Sequence, residues 1–146
     1  QSLEGLPPDR TVYEVVKAAL LKLSEGSLRG LLASFLFKGA AINKKIRVLS
    51  GGEKTRVLLS ILLSTPHNCL VLDEPTNHLD LRSREVLLDA LTRYEGTLLL
   101  VSHDRYFLHR CTTRVFEVDR GRITAYEGNY AYYLEKKGAG PTKAAI

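Results

Sequence analysis

The 146-residue chain has no methionine, no tryptophan and only two cysteines. Neither Cys69 nor Cys111 has a metal-ligand spacing, and two cysteines are too few for a disulfide-stapled scaffold. We expect two free thiols in a reducing compartment. No apolar run approaches the roughly 20 residues that cross a bilayer, so no membrane span of its own is expected. No signal-peptide pattern is read either, and a cytoplasmic location is the expectation. A chain that starts at Gln1 and carries no Met points to a segment of something longer. There are no internal repeats.

What is present is ordinary in bulk. Hydrophobic residues make up 45% and charged residues 25%, enough to bury a core in one domain. The formal net charge of +5 is compatible with a polyanionic partner and equally with a plain soluble surface.

The order of elements carries more. Gly5, Pro7 and Pro8 make the first ten residues an irregular lead-in. Thr11 with Glu14 forms a capping-box pattern, and Val12, Val15, Val16, Ala19, Leu20 and Leu23 share a helical face. Ser24-Glu25-Gly26 breaks that helix. Ser27 is the expected cap of a second, with Leu28, Leu31, Leu32, Phe35 and Leu36 on one face and Gly39 at its end. A basic connector follows over 40–48. Residues 1–48 thus read as a lead-in and helical subdomain ahead of an α/β core over 49–137. A flexible tail is expected over 138–146.

Leu49-Ser50-Gly51-Gly52-Glu53-Lys54 opens a helix expected from about Gly52 to Ser64, with Val57, Leu58, Ile61 and Leu62 buried. Ser50 stands at its N-cap. Free N–H groups and the positive end of the dipole make such a start an anion site, and two glycines let a ligand approach. An ordinary cap is the alternative. Leu81 to Tyr94 is read as a further helix, with Thr97–Val101 a second apolar strand and Ser102-His103-Asp104 at its tip. The strand–helix–strand order predicts a βαβ unit that brings His103 toward the end of the first strand. Arg114–Val118 and Ile123–Tyr126 read as a hairpin, and Asn129 to Lys137 as an aromatic-rich helix whose tyrosines pack rather than stack on bases.

The centre of the chain is Leu70-Val71-Leu72-Asp73-Glu74-Pro75. The apolar run suits a strand buried on both faces, and Pro75 stops it. Asp73 and Glu74 then stand at the carboxyl end, where open α/β sheets bind ligands. Paired acids there suit a nucleoside-triphosphatase, with Asp73 serving Mg²⁺ through water and Glu74 activating the attacking water. A solvated strand-end turn is the alternative.

Leu-Ser-Gly-Gly-Glu at 49–53, Leu-Val-Leu-Asp-Glu-Pro at 70–75 and Ser-His-Asp at 102–104 resemble, in order, the signature, Walker B and switch-histidine motifs of an ABC-type ATPase. Asp-Glu-Pro-Thr-Asn-His-Leu-Asp at 73–80 is similar to the ABC-F family, the soluble duplicated ABC proteins. So are Val101 to Leu108 and Tyr126-Glu127-Gly128-Asn129-Tyr130. The resemblance spans about 11–137, and the closing segment looks more like the second of that family's two ATPase domains. It implies a P-loop-type α/β core, incomplete here, with ATP and Mg²⁺ as cofactors and a second ABC domain as partner. By position, Ser50, Gly51 and Gly52 would meet the γ-phosphate of an ATP on the opposite domain. Asp80 would lie in the loop that communicates between the two, His103 would sense the γ-phosphate, and Gln1 would be the Q-loop glutamine. Work on the ribosome and its RNA, in translation or antibiotic resistance, is implied as well.

One departure qualifies this. No Gly-x-x-x-x-Gly-Lys-Ser/Thr occurs, so nothing here cradles the α- and β-phosphates. We expect the C-terminal part of one ATPase domain, inactive alone. Two other readings stand beside it: the ATPase subunit of a membrane transporter, and a non-catalytic module that kept the fold.

Overall fold

A computed structural model describes residues 5–77 and 79–138. Gln1, His78 and residues 139–146, with most of the expected tail, lie outside the described part. Six α-helices and four strands follow one another within it. The first helix, α1 (Val12–Ala19), has the predicted capping box: the Thr11 side chain accepts from the Glu14 N–H, and the Glu14 carboxylate accepts from the Thr11 N–H. It is shorter than its periodicity suggests. Leu20 closes it and remains buried, while Ala19 and Leu23 are exposed.

Helix α2 (Glu25–Ser34) has its cap three residues before the expected one. Ser24, not Ser27, is its N-cap, and the Ser27 N–H is the donor to it. It also ends before Gly39. Leu36 adopts φ +66° and turns the chain so that Phe37 enters the core. The expected connector over 40–48 consists largely of two 3-10 turns, Gly39–Asn43 and Ile46–Val48, pinned by Ile42 and Ile46. Lys44 and Ile46 also bond back to the start of α1, through Val12 N–H to Lys44 O and Ile46 N–H to Arg10 O.

Ser50 caps α3 (Gly51–Ser64) as predicted, with Glu53 returning the bond to the Ser50 N–H. Its buried face carries Val57, Leu59 and Ser60; the expected Leu58, Ile61 and Leu62 are half-buried beside it. The Ser60 hydroxyl is satisfied within the helix by Val57 O at 2.7 Å. Strand β1 (Cys69–Asp73), helix α4 (Leu81–Thr92) and strand β2 (Thr97–Val101) form the βαβ unit. The two strands pair in parallel with Leu70 opposite Leu98 and Asp73 opposite Val101.

The expectation of strands buried on both faces is not met. Cys69, Val71 and Asp73 are exposed, and so are Leu99 and Val101 opposite them. Successive residues point to opposite faces of a strand. Here Leu72, Leu98 and Leu100 join the core from one face, while nothing among the described residues covers the other. Cys111, at the end of α5 (Arg105–Cys111), is half-buried, and burial pushes its thiol up to about 11.

Strands β3 (Val115–Asp119) and β4 (Arg122–Tyr126) form the predicted hairpin. Arg120 at φ +45° and Gly121 at φ +74° give the left-handed two-residue turn whose twist matches the strands. Helix α6 (Tyr130–Lys136) is capped by Asn129 and packs on the hairpin. Tyr133 meets Tyr126 edge-on at 5.0 Å, and its hydroxyl donates to Glu117, as packing tyrosines do. One apolar cluster runs from Leu6 through α1–α4 to Phe107.

Candidate functional site

The site is built on the tips of β1 and β2. Asp73 ends β1, and Glu74 follows at φ +44°, a left-handed conformation that is uncommon outside glycine. Its N–H donates to Val101 O at 2.8 Å, which ties it to the neighbouring strand tip. Two turns then lead away, with Asn77 N–H donating to Glu74 O and Leu79 N–H to Thr76 O. Thr76 and Leu79 are buried, so the loop is anchored from within.

Glu74 Oε1 is buried, and no hydrogen-bond donor among the described residues meets it. A buried carboxylate oxygen without a partner costs free energy, about 1–3 kcal/mol or more. Strain and an orphaned acceptor at one residue are the marks of a site built for something besides folding. The His103 imidazole stands beside it. Its Nε2 stands 3.7 Å from that oxygen, too far for a hydrogen bond and close enough to share a ligand. The His103 side chain is 99% exposed, so its imidazole is free to meet a ligand from solvent. The prediction that the two strand tips bring His103 to Glu74 is thus met. His103 is not a helix cap; Asp104 caps α5 by accepting from the Phe107 N–H.

Asp80 caps α4. The Ser83 N–H, at 2.8 Å, holds its carboxyl below the ordinary range. One residue that the sequence does not single out connects the two loops. Arg84 donates through Nε to Leu79 O at 3.2 Å and through a terminal nitrogen to Asp104 at 3.3 Å. Nothing in the spacing links positions 84 and 104, which lie on different elements.

Ser50, Gly51 and Gly52 form a second patch, at the exposed start of α3. Glu53 holds it together, taking the Ser50 N–H at 2.9 Å and the Lys44 ammonium at 3.3 Å. No hydrogen bond among the described residues joins this patch to Asp73, Glu74 or His103. Gln1 lies outside the described part, so its expected role is not placed.

The paired acids fit a divalent ion of the Mg²⁺ kind, which keeps several waters and takes one or two carboxylates beside substrate phosphates. Asp73 is exposed at the strand tip, and Glu74 Oε1 lacks a donor. No three metal-ligating side chains converge among the described residues, so such an ion would draw its remaining ligands from water and substrate.

Known proteins resemble this chain in sequence and fold. A family model described as ABC transporter matches residues 6–77. ABC transporter F family member 5 of Arabidopsis thaliana is 45% identical over 140 residues, 96% of this chain and 20% of its own length. The chain belongs to the ABC-F family.

Among the relatives of this ABC-F chain, the energy-dependent translational throttle protein EttA of Mycobacterium tuberculosis is 54% identical over 89 residues, 61% of the chain and 16% of EttA. The archaeal ribosome recycling factor aABCE1, solved in complex with the ribosomal stalk protein aP1, superposes with a TM-score of 0.69 at 25% identity. That match covers 90% of this chain and 27% of the other. A dimeric ATP-binding cassette in a post-hydrolysis state with ADP and Pi has a TM-score of 0.68 at 23% identity, over 87% of this chain and 60% of that one. It shows the fold. The α/β core with its flanking helices is that of ABC ATPase domains. The ABC-F chain spans about a fifth of the length of the curated relatives it matches. Among the described residues, no helix is long and apolar enough to cross a membrane.

Proposed function

We propose that this chain is the C-terminal part of one ATPase domain of a longer ABC-F protein, the second of its two such domains. ATP is bound between the two and hydrolysed there. The observation that carries the reading is the strained Glu74, whose buried, unpartnered Oε1 faces the exposed His103 at 3.7 Å. In this reading Glu74 orients a water for in-line attack on the γ-phosphate and accepts its proton, as the bond from the γ-phosphorus to the bridging oxygen breaks to give ADP and Pi. The imidazole of His103 donates to a γ-phosphate oxygen. Asp73 holds Mg²⁺ through water, and the ion, when bound, neutralises charge on the β- and γ-oxygens.

Ser50, Gly51 and Gly52 serve the other nucleotide. The free N–H groups and dipole at the start of α3 are proposed to meet the γ-phosphate held by the partner domain. Asp80 lies in the loop facing that partner. Without a phosphate loop in its sequence, the isolated chain hydrolyses no ATP in this reading; turnover above background by the chain alone would remove it. Ribosome-associated work is the fitting context, supported by what the EttA and aABCE1 names say of those proteins and by the net charge of +5.

Ser50→Arg in the full-length protein tests the two-patch arrangement. The added side chain fills the approach to α3 without touching the domain's own paired acids. ATP-driven closure, read by small-angle scattering or by an interdomain fluorescence pair, should be lost while ATP still binds. Closure that survives Ser50→Arg would refute the role of the patch.

A further inference from the structure

The two loops that carry Glu74 and His103 are both bonded by one side chain with no place in the chemistry above. Glu74 O accepts from Asn77, Thr76 O accepts from Leu79, and Leu79 O accepts from Arg84 Nε. The same guanidinium reaches Asp104 Oδ2 at 3.3 Å. Asp104 in turn caps α5 through its other oxygen, and its N–H donates to Ser102 Oγ at 3.1 Å, across His103. Glu74 N–H to Val101 O closes the circuit. Arg84 is the only side chain among the described residues that bonds both loops.

We propose that Arg84 is a positioning residue that locks the Glu74 and His103 loops in one relative placement. The inference rests on the hydrolytic reading of that pair. A planar guanidinium suits the task, because its fork serves a carbonyl and a carboxylate at once, which the point charge of a lysine does not. The Asp104 side chain is 19% exposed and that of Arg84 44% exposed, so as an ion pair alone the contact adds little to stability. Its consequence is geometric. A 1 Å misplacement of groups around a reaction can cost about 10²-fold in rate, so loosening one loop against the other should be felt in turnover.

The test compares Arg84→Ala, Arg84→Lys and Asp104→Asn in the full-length protein, beside Glu74→Gln. Asparagine still caps α5 through its oxygen, while its NH2 replaces the accepting oxygen that Arg84 meets. Arg84→Ala should lower kcat about tenfold, with the KM for ATP within about twofold and the urea midpoint of unfolding unchanged. Arg84→Lys should fall between alanine and the wild type. The Arg84→Ala, Asp104→Asn double variant should be no slower than Arg84→Ala, since both break one link. An unchanged kcat overturns the proposal, as does a loss that tracks a lower urea midpoint or adds in full to that of Asp104→Asn. If Glu74→Gln is inactive while Arg84→Ala is normal, only the positioning role fails. Turnover that survives Glu74→Gln overturns the hydrolytic reading and this inference with it.

Discussion

His103 Nε2 lies 3.7 Å from Glu74 Oε1, a buried oxygen that no donor among the described residues satisfies. The residues are 29 positions apart and meet because β1 and β2 run parallel with their tips side by side. Glu74 bends into a left-handed conformation immediately after the register ends. The pair is therefore a product of topology, and its cost in strain and desolvation is spread over the buried supports of the loop.

The start of α3 should be sensitive to acid. The Ser50 N–H, assisted by Lys44, holds the Glu53 carboxyl below its ordinary 4.5 against the cost of its burial. A lowered carboxylate stabilises the folded state in full above the ordinary value. That contribution is lost as pH falls through the lowered one. Urea midpoints of the wild type should therefore decline as pH falls below the ordinary carboxylate value, with a smaller slope in Glu53→Gln, which keeps the capping geometry. Equal slopes in the two proteins would mean that Glu53 titrates no differently when folded.

Phe107 should be the costly position of the second loop's helix. It is 1% exposed and joins the core on which α4 packs. Phe107→Ala should lower stability by about 3–5 kcal/mol, read from urea unfolding. A loss under about 1 kcal/mol would show that α5 is not fixed by that ring.

Much of this was legible in the sequence, and the reasons differ by element. Caps were readable where a side chain reaches its own helix, as with Thr11–Glu14 and Ser50–Glu53, because those bonds are local. The strand tips were readable because Pro75 ends one strand and the βαβ rule orients the next. Helix ends in the first third were not. Periodicity carries on through Leu23 and Leu36, but the chain turns early to bury Leu20 and Phe37, a choice made by distant packing. The open face of β1 and β2 was missed because Val71 and Leu99 are as apolar as their inward neighbours. Arg84 was missed because its partner Asp104 lies 20 positions away on another element.

The most direct measurement is steady-state ATP hydrolysis with Mg²⁺ by the full-length protein and its Glu74→Gln variant, with nucleotide binding measured on both. Loss of the base should abolish turnover, a fall of about 10²-fold or more, while ATP binds as before and the closed two-domain state accumulates. Equal turnover in variant and wild type would contradict the account, because Glu74 would then be a buried acid at a strained turn and not the group that activates water.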